Sequence, residues 1–269
     1  MRLTGSAAFD EGVPSARGRS IRVLRRAIDL GVNHIDTASF YFSRLRSANE
    51  LIATALSPYP DDLVIATKVG PGRDASGAWY AAEPEQLRSQ VEENLRQLGR
   101  DHLDLVYLRR MRQSSIAEHV GALAELRDAG LIRHLGVSNV TPAQLAEARA
   151  VAPVVAVQNR FTLDGRPHDD VLQGCADHGI AFVPYFAIAG SGREQGAGAA
   201  GPESEQVLAV AAAHGASAAQ VRLAWTLQQG THVLAIPGTG NPDHLEANIA
   251  AGELRLSTEE LDLLATAAR

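Results

Sequence analysis

Short apolar runs rich in β-branched residues alternate with amphipathic helical patterns along nearly the whole chain. The runs are His34–Ala38, Leu63–Val69, Leu103–Arg109, His134–Asn139, Val154–Arg160, Ala181–Phe186 and Val233–Gly238. Several are apolar on both faces, as strands of a parallel sheet covered on both sides must be. Helical stretches lie between them, many with recognisable ends. Ile21–Leu30 stops at Gly31 and has Ser20 available as an N-cap, while Glu85–Leu98 stops at Gly99 and Ile116–Ala129 at Gly130. Thr141-Pro142 opens another helix with proline at its first position, and Ala218–Gln229 and Pro242–Ala251 follow the same grammar. Ser257-Thr258-Glu259-Glu260 starts a last helix with a cap and an acidic first turn.

Strand–helix alternation of this kind predicts an α/β fold with a parallel sheet. Seven strands are clear. A closed barrel needs another before the helix at Ile21, and only Arg2–Thr4 is available, so a (β/α)₈ TIM barrel with a truncated first strand is the expectation. The chain has 269 residues, which suits one barrel domain spanning 1–269. A doubly wound dinucleotide fold would want Gly-x-Gly-x-x-Gly after its first strand, and none is there. The Gly190–Gly201 stretch, rich in Gly, Ala and Ser, reads as a surface loop.

Charge narrows the choice of partners. Lys plus Arg number 25 against 31 for Asp plus Glu, a formal −6 with no basic stripe, which argues against nucleic acid. No apolar run reaches the roughly 20 residues of a membrane span. The one cysteine, Cys175, cannot form an intrachain disulfide, and it suits a reducing cytoplasm. No cluster has metal-ligand spacing, so no metal is expected.

In a (β/α)₈ barrel the active site lies at the C-terminal strand ends. An Asp, a Tyr and a Lys gather at neighbouring ones: Asp36 with Tyr41 just beyond it, and Lys68. The trio has a chemical logic. An ammonium close to a phenol favours the phenolate and so makes the tyrosine a better proton donor near neutral pH. A carboxylate paired with the lysine holds that ammonium in place. Tyr41 is then the candidate general acid, tuned by Lys68 and Asp36.

These residues sit in segments that together resemble the aldo-keto reductase family. The segments are Gly31-Val32-Asn33-His34-Ile35-Asp36-Thr37-Ala38 with Tyr41, Asn49-Glu50-Leu51-Ile52 and Val64-Ile65-Ala66-Thr67-Lys68. Further on come Leu103–Leu108, Ile132–Asn139, Val157-Gln158-Asn159 and Ile236-Pro237-Gly238-Thr239. Within the family, Pro58–Leu63 is most similar to bacterial pyridoxal-reductase-like members. The resemblance implies an NADPH-dependent oxidoreductase that reduces an aldehyde or ketone, with Asp36, Tyr41 and Lys68 catalytic. It implies Ser138, Asn139 and Gln158 at the nicotinamide carboxamide and Tyr185 stacked on the ring. Pro237, Gly238 and Thr239, with His244 and Asn248 behind them, would take the adenosine end. A helix starting near Pro242 offers N–H groups to a phosphate.

The pattern is broken in places. The family's usual fourth catalytic residue is a His, where this chain has Arg109. An arginine stays protonated and can hold a carbonyl oxygen or an anion, but it is a poor proton shuttle. That points either to a small-molecule carbonyl substrate with an anionic group, or to a barrel repurposed for a non-redox reaction (cyclase, lyase or isomerase). A non-catalytic NADPH-binding protein is the third possibility. Phe186-Ala187-Ile188 replaces a common Ser-Pro-Leu, and Ala247 replaces an acidic residue. Arg44 and Arg46 read as solvated surface residues or as a basic lip. His34 reads as a core histidine and Cys175 as buried and inert. Trp79 and Tyr80 read as pocket aromatics or as cover for the core.

Overall fold

The computed structural model describes residues 3–4, 16–43, 46–73, 78–166, 168–188 and 203–267. Six parallel strands form one curled sheet: β1 (His34–Asp36), β2 (Val64–Val69), β3 (Leu103–Arg109), β4 (Ile132–Ser138), β5 (Val154–Gln158) and β6 (Ala181–Phe182). They pair in chain order, so every connection is a crossover to the next strand, the winding of a (β/α)₈ barrel. Val233 extends the series by a single parallel bridge to Phe182. Two hydrogen bonds hold it there, Phe182 N–H to the His232 carbonyl at 2.9 Å and Leu234 N–H to the Phe182 carbonyl at 2.9 Å.

Ten helices are described: α1 (Arg17–Asp29), α2 (Ala48–Leu56), α3 (Leu87–Leu98), α4 (Ala117–Asp128), α5 (Pro142–Val151), α6 (Asp169–Asp177), α7 (Glu205–His214), α8 (Ala218–Leu227), α9 (Pro242–Ala250) and α10 (Thr258–Ala267). Helix α5 starts at Thr141-Pro142 as expected, and the start is a capping box, with Gln144 N–H donating to Thr141 Oγ1 at 3.3 Å. Such a cap contributes about 1 kcal/mol.

Of the expected strand Val233–Gly238 only Val233 pairs, through that single bridge. Three other expectations need correction. Ser20 is not an N-cap, because α1 begins earlier, at Arg17, behind Ala16. The Ser20 hydroxyl is buried inside the helix and donates to the Leu3 carbonyl at 2.7 Å. Of the Arg2–Thr4 stretch, Leu3 and Thr4 are buried but lie in no strand, and Arg2 is outside the described residues. The expected strand Ala181–Phe186 is a regular strand only over Ala181–Phe182; beyond it Val183 N–H and Tyr185 N–H still donate to the Val157 and Asn159 carbonyls, and the backbone at Phe186 turns to φ 68°. Bulky residues rarely adopt that conformation, and it cannot continue a strand. The Gly190–Gly201 loop and Arg44 lie outside the described residues, as does the Arg46 side chain.

The side chains of the sheet divide by the two-residue period. One face packs against the helices in a layer that includes Ile65, Val106, Val137 and Val157. The other face fills the barrel with Ala66, Leu105, Tyr107, Ala156 and Val183. Gly136 makes room for the largest of these. A Cβ at Gly136 would lie 2.6 Å from the Tyr107 ring and 2.9 Å from the Ala156 carbonyl oxygen.

Candidate active site

The same alternation builds the site. On β1, Asp36 faces into the barrel and Thr37, next along, faces the helices. On β2, Lys68 faces in and Thr67 faces out. The outward pair belongs to a buried polar network. Thr37 Oγ1 donates to Asn49 Oδ1 at 2.8 Å, Asn49 Nδ2 to Asn94 Oδ1 at 2.9 Å, and Thr67 Oγ1 to Asn94 Oδ1 at 2.6 Å. This network ties β1 and β2 to α2 and α3, and all four residues are fully buried. It therefore fixes where the inward-facing pair sits. Sequence reasoning found no role for Asn49 or Asn94.

Lys68 is 1% exposed and Asp36 11% exposed at the side chain. The Lys68 ammonium donates to Asp36 Oδ1 at 2.6 Å, to Asp36 Oδ2 at 2.7 Å and to the Thr37 carbonyl at 3.0 Å. An ammonium has three N–H groups, and these contacts engage them all. Lys68 thus acts on Tyr41 through space: its Nζ lies 5.1 Å from the centre of the Tyr41 ring.

Tyr41 is held at both backbone ends. Its N–H donates to the Ala38 carbonyl at 3.0 Å, and its carbonyl accepts from Ala48 N–H at 2.9 Å. The Phe40 ring meets the Tyr41 ring edge-on at 5.2 Å. Arg109 ends β3, half-buried, with its guanidinium carbon 6.0 Å from the Phe40 ring centre. Gly70, at φ 112°, brings the end of β2 against β3; a Cβ there would lie 2.6 Å from the Arg109 carbonyl oxygen.

Asp36, Tyr41, Arg109, Gln158, Tyr185, Pro237, Gly238, Thr239 and Asn248 line one cavity of 480 Å³, with apolar walls from α1 and α9. Lys68 lies behind Asp36. Three further sequence candidates are not on its wall. Ser138 is buried, paired in register with Arg109 on one side and Gln158 on the other. Asn139, at φ 64°, directs its amide to the Arg110 carbonyl at 3.2 Å. His244 is exposed on α9. Of the two candidate pocket aromatics, Trp79 sits on a hairpin (Pro71–Arg73 with Trp79–Ala81), against Phe40 and Arg73, and Tyr80 packs over Gly72. Neither lines the cavity.

His34 does line it, so it is more than core filling. Burial lowers its pKa, Asp36 opposes that and Lys68 adds to it, so the imidazole is neutral at pH 7. Tyr107 lies inside the barrel with its hydroxyl unpartnered, and burial, aided by Asp36, holds its pKa well above 10. A buried hydroxyl without a partner costs about 1–3 kcal/mol. Tyr107→Phe is therefore expected to stabilise the protein by about 1 kcal/mol in urea denaturation. A less stable variant would show that the hydroxyl is satisfied. Cys175 is buried, and burial pushes its thiol up to about 12, which makes it inert. Among the described residues no group of His, Cys, Asp or Glu is placed to hold a metal, and no single helix is long and apolar enough to cross a membrane.

A dinucleotide suits the polar atoms on offer. Asn248 Nδ2 is buried on the cavity wall without a partner. Gln158 presents an amide carbonyl to which no described residue donates. The first turn of α9 begins beside Thr239, behind Asn241, whose side chain accepts from Asp243 N–H at 3.1 Å.

Comparison with known proteins gives the family and the fold. Residues 3–269 match the Aldo/keto reductase family. A pyridoxine 4-dehydrogenase of Escherichia coli (strain K12) is 43% identical over 272 residues, covering 98% of this chain and 91% of that protein. An uncharacterized oxidoreductase of Schizosaccharomyces pombe is 37% identical over 96% of this chain and 81% of its own length. The crystal structure of an aldo-keto reductase from Klebsiella pneumoniae in complex with NADPH superposes with a TM-score of 0.79 at 28% identity, covering 98% of this chain and 88% of that one.

Proposed function

We propose, on the premise that this chain belongs to the aldo/keto reductase family, that it reduces an aldehyde or ketone with Tyr41 as the proton donor. The observation that carries this reading is the convergence of Tyr41 with the buried Asp36–Lys68 pair at the head of the cavity. NADPH, when bound, supplies the hydride that the carbonyl carbon accepts. Gln158 and Tyr185 would meet its nicotinamide, with Ser138 and Asn139 supporting them from β4. Pro237, Gly238, Thr239 and Asn248 would meet its adenosine end, with His244 at the rim of α9.

The protein's own part is proton delivery and substrate placement. The phenol O–H of Tyr41 gives its proton to the carbonyl oxygen as that oxygen gains charge. Lys68 stabilises the phenolate left behind, and Asp36 keeps Lys68 charged and still. Arg109 shares the cavity wall with Tyr41 and cannot give up its proton at working pH. Its role is to hold negative charge, so the substrate is a small carbonyl compound with an anionic substituent. The similarity to a pyridoxine 4-dehydrogenase makes pyridoxal-type aldehydes the first to try.

The test is NADPH consumption across paired neutral and anionic aldehydes. An anionic aldehyde should be preferred, and Arg109→His should narrow that preference by roughly tenfold, the scale of one hydrogen bond to a charged group. An unchanged ratio would remove Arg109 from substrate selection. NADPH binding without consumption of any carbonyl would favour a non-catalytic role.

A further inference from the structure

The Asp36 carboxylate has a third donor. Gln158 Nε2 donates to Asp36 Oδ2 at 2.7 Å, the same oxygen that Lys68 Nζ reaches at 2.7 Å. Only the NH₂ end of an amide can face a carboxylate, so the orientation of this side chain is settled by chemistry. Gln158 is 2% exposed and sits at the end of β5, with its backbone in register with Ser138. It is 122 residues from Asp36 in sequence and reaches it across the barrel interior.

We infer that Gln158 is a positioning residue that sets the proton-donating power of Tyr41 by sharing the charge of Asp36. This rests on the reading of Tyr41 as the proton donor. Charge that Asp36 shares with an amide N–H is charge it does not offer to Lys68. The ammonium is then less fully neutralised, and it acts more strongly on the Tyr41 ring 5.1 Å away. The other groups facing this centre are few. His34, two residues before Asp36, is kept neutral by burial. Tyr107, on β3 beneath the pair, stays protonated. Arg109 keeps its charge at every accessible pH and adds a constant field.

The experiment is a spectrophotometric pH titration of the cofactor-free protein at the tyrosinate band. Subtracting the same titration of Tyr41→Phe isolates the Tyr41 phenol. Tyr59, pushed up to about 12 by burial, and Tyr107, held well above 10, ionise only at the far alkaline end. Gln158→Leu removes the donor, and the Tyr41 midpoint is expected to rise by about half a pH unit, a threefold change. Gln158→Glu keeps the shape and puts a second carboxylate beside Asp36, so the rise is larger. The alkaline limb of kcat/KM should move in the same order. Unchanged midpoints, or a downward move in either variant, overturn the inference. If Gln158→Leu fails to fold, the nearly isosteric Gln158→Glu decides alone. The optical titration needs no turnover, so it can fail or succeed independently of whether Tyr41 is the acid in catalysis.

Discussion

Replacing Lys68 by methionine is expected to cost the protein about 3–5 kcal/mol of stability and all carbonyl reduction. The size follows from breaking one side of a buried ion pair: the partner left behind is an uncompensated charge in a medium that solvates it poorly. Here the partner is Asp36, 11% exposed, with Gln158 as its remaining donor. Methionine fills much of the volume, so the loss is electrostatic rather than a cavity effect. Urea denaturation reads the stability. A deficit below about 1 kcal/mol would place the pair with surface salt bridges and contradict its burial. The double variant Lys68→Met with Asp36→Leu should recover most of the stability, because removing both charges removes the uncompensated one. It should recover no activity. That split separates what the pair does for folding from what it does for Tyr41.

Tyr41→Phe is expected to lower kcat by about 10²–10⁴-fold, the usual contribution of a positioned general acid. NADPH binding and thermal stability should stay near those of the parent, since the ring and its contacts with Phe40 and Lys68 persist. Titrating NADPH fluorescence measures the first and a thermal melt the second. A kcat within tenfold of the parent would assign the proton to another donor. A lost cofactor site would instead mean that the hydroxyl has a structural task. The two substitutions differ in kind: one removes the proton, the other removes the field and the anchor around it.

The strand order and the Asp36–Tyr41–Lys68 set were legible in the sequence because both rest on local pattern. Buried parallel strands are apolar runs, and the two-residue period that hides Thr37 and Thr67 is the one that turns Asp36 and Lys68 inward. Helices α2 and α7 were not picked out. In α2 the buried stripe is regular but spans only nine residues and includes the polar Asn49, and α7 follows a stretch rich in Gly and Ala. The strand ending at Phe186 read as longer than it is, because positive φ at a phenylalanine leaves no mark in composition. Asn49, Asn94 and the Gln158–Asp36 bond escaped for another reason. Each joins elements tens of residues apart, and a polar side chain in an amphipathic pattern looks the same whether it faces water or another amide. The family resemblance alone puts Asn139 at the cofactor, and its amide nitrogen donates to the Arg110 carbonyl.

One consequence of the sheet order bears on local opening. Among the described residues, β1 is the terminal strand, paired through its backbone to β2 alone. The Gln158–Asp36 hydrogen bond is therefore a side-chain rivet between that strand and the far side of the barrel. Amide hydrogens near Asp36 should exchange faster than those of β3 and β4 at the centre of the sheet. Loosening the rivet should speed exchange on β1 selectively. The residue that anchors Lys68 would then lie on the part of the sheet that opens most readily, and the charge pattern of the site, more than the backbone ladder, would keep it closed.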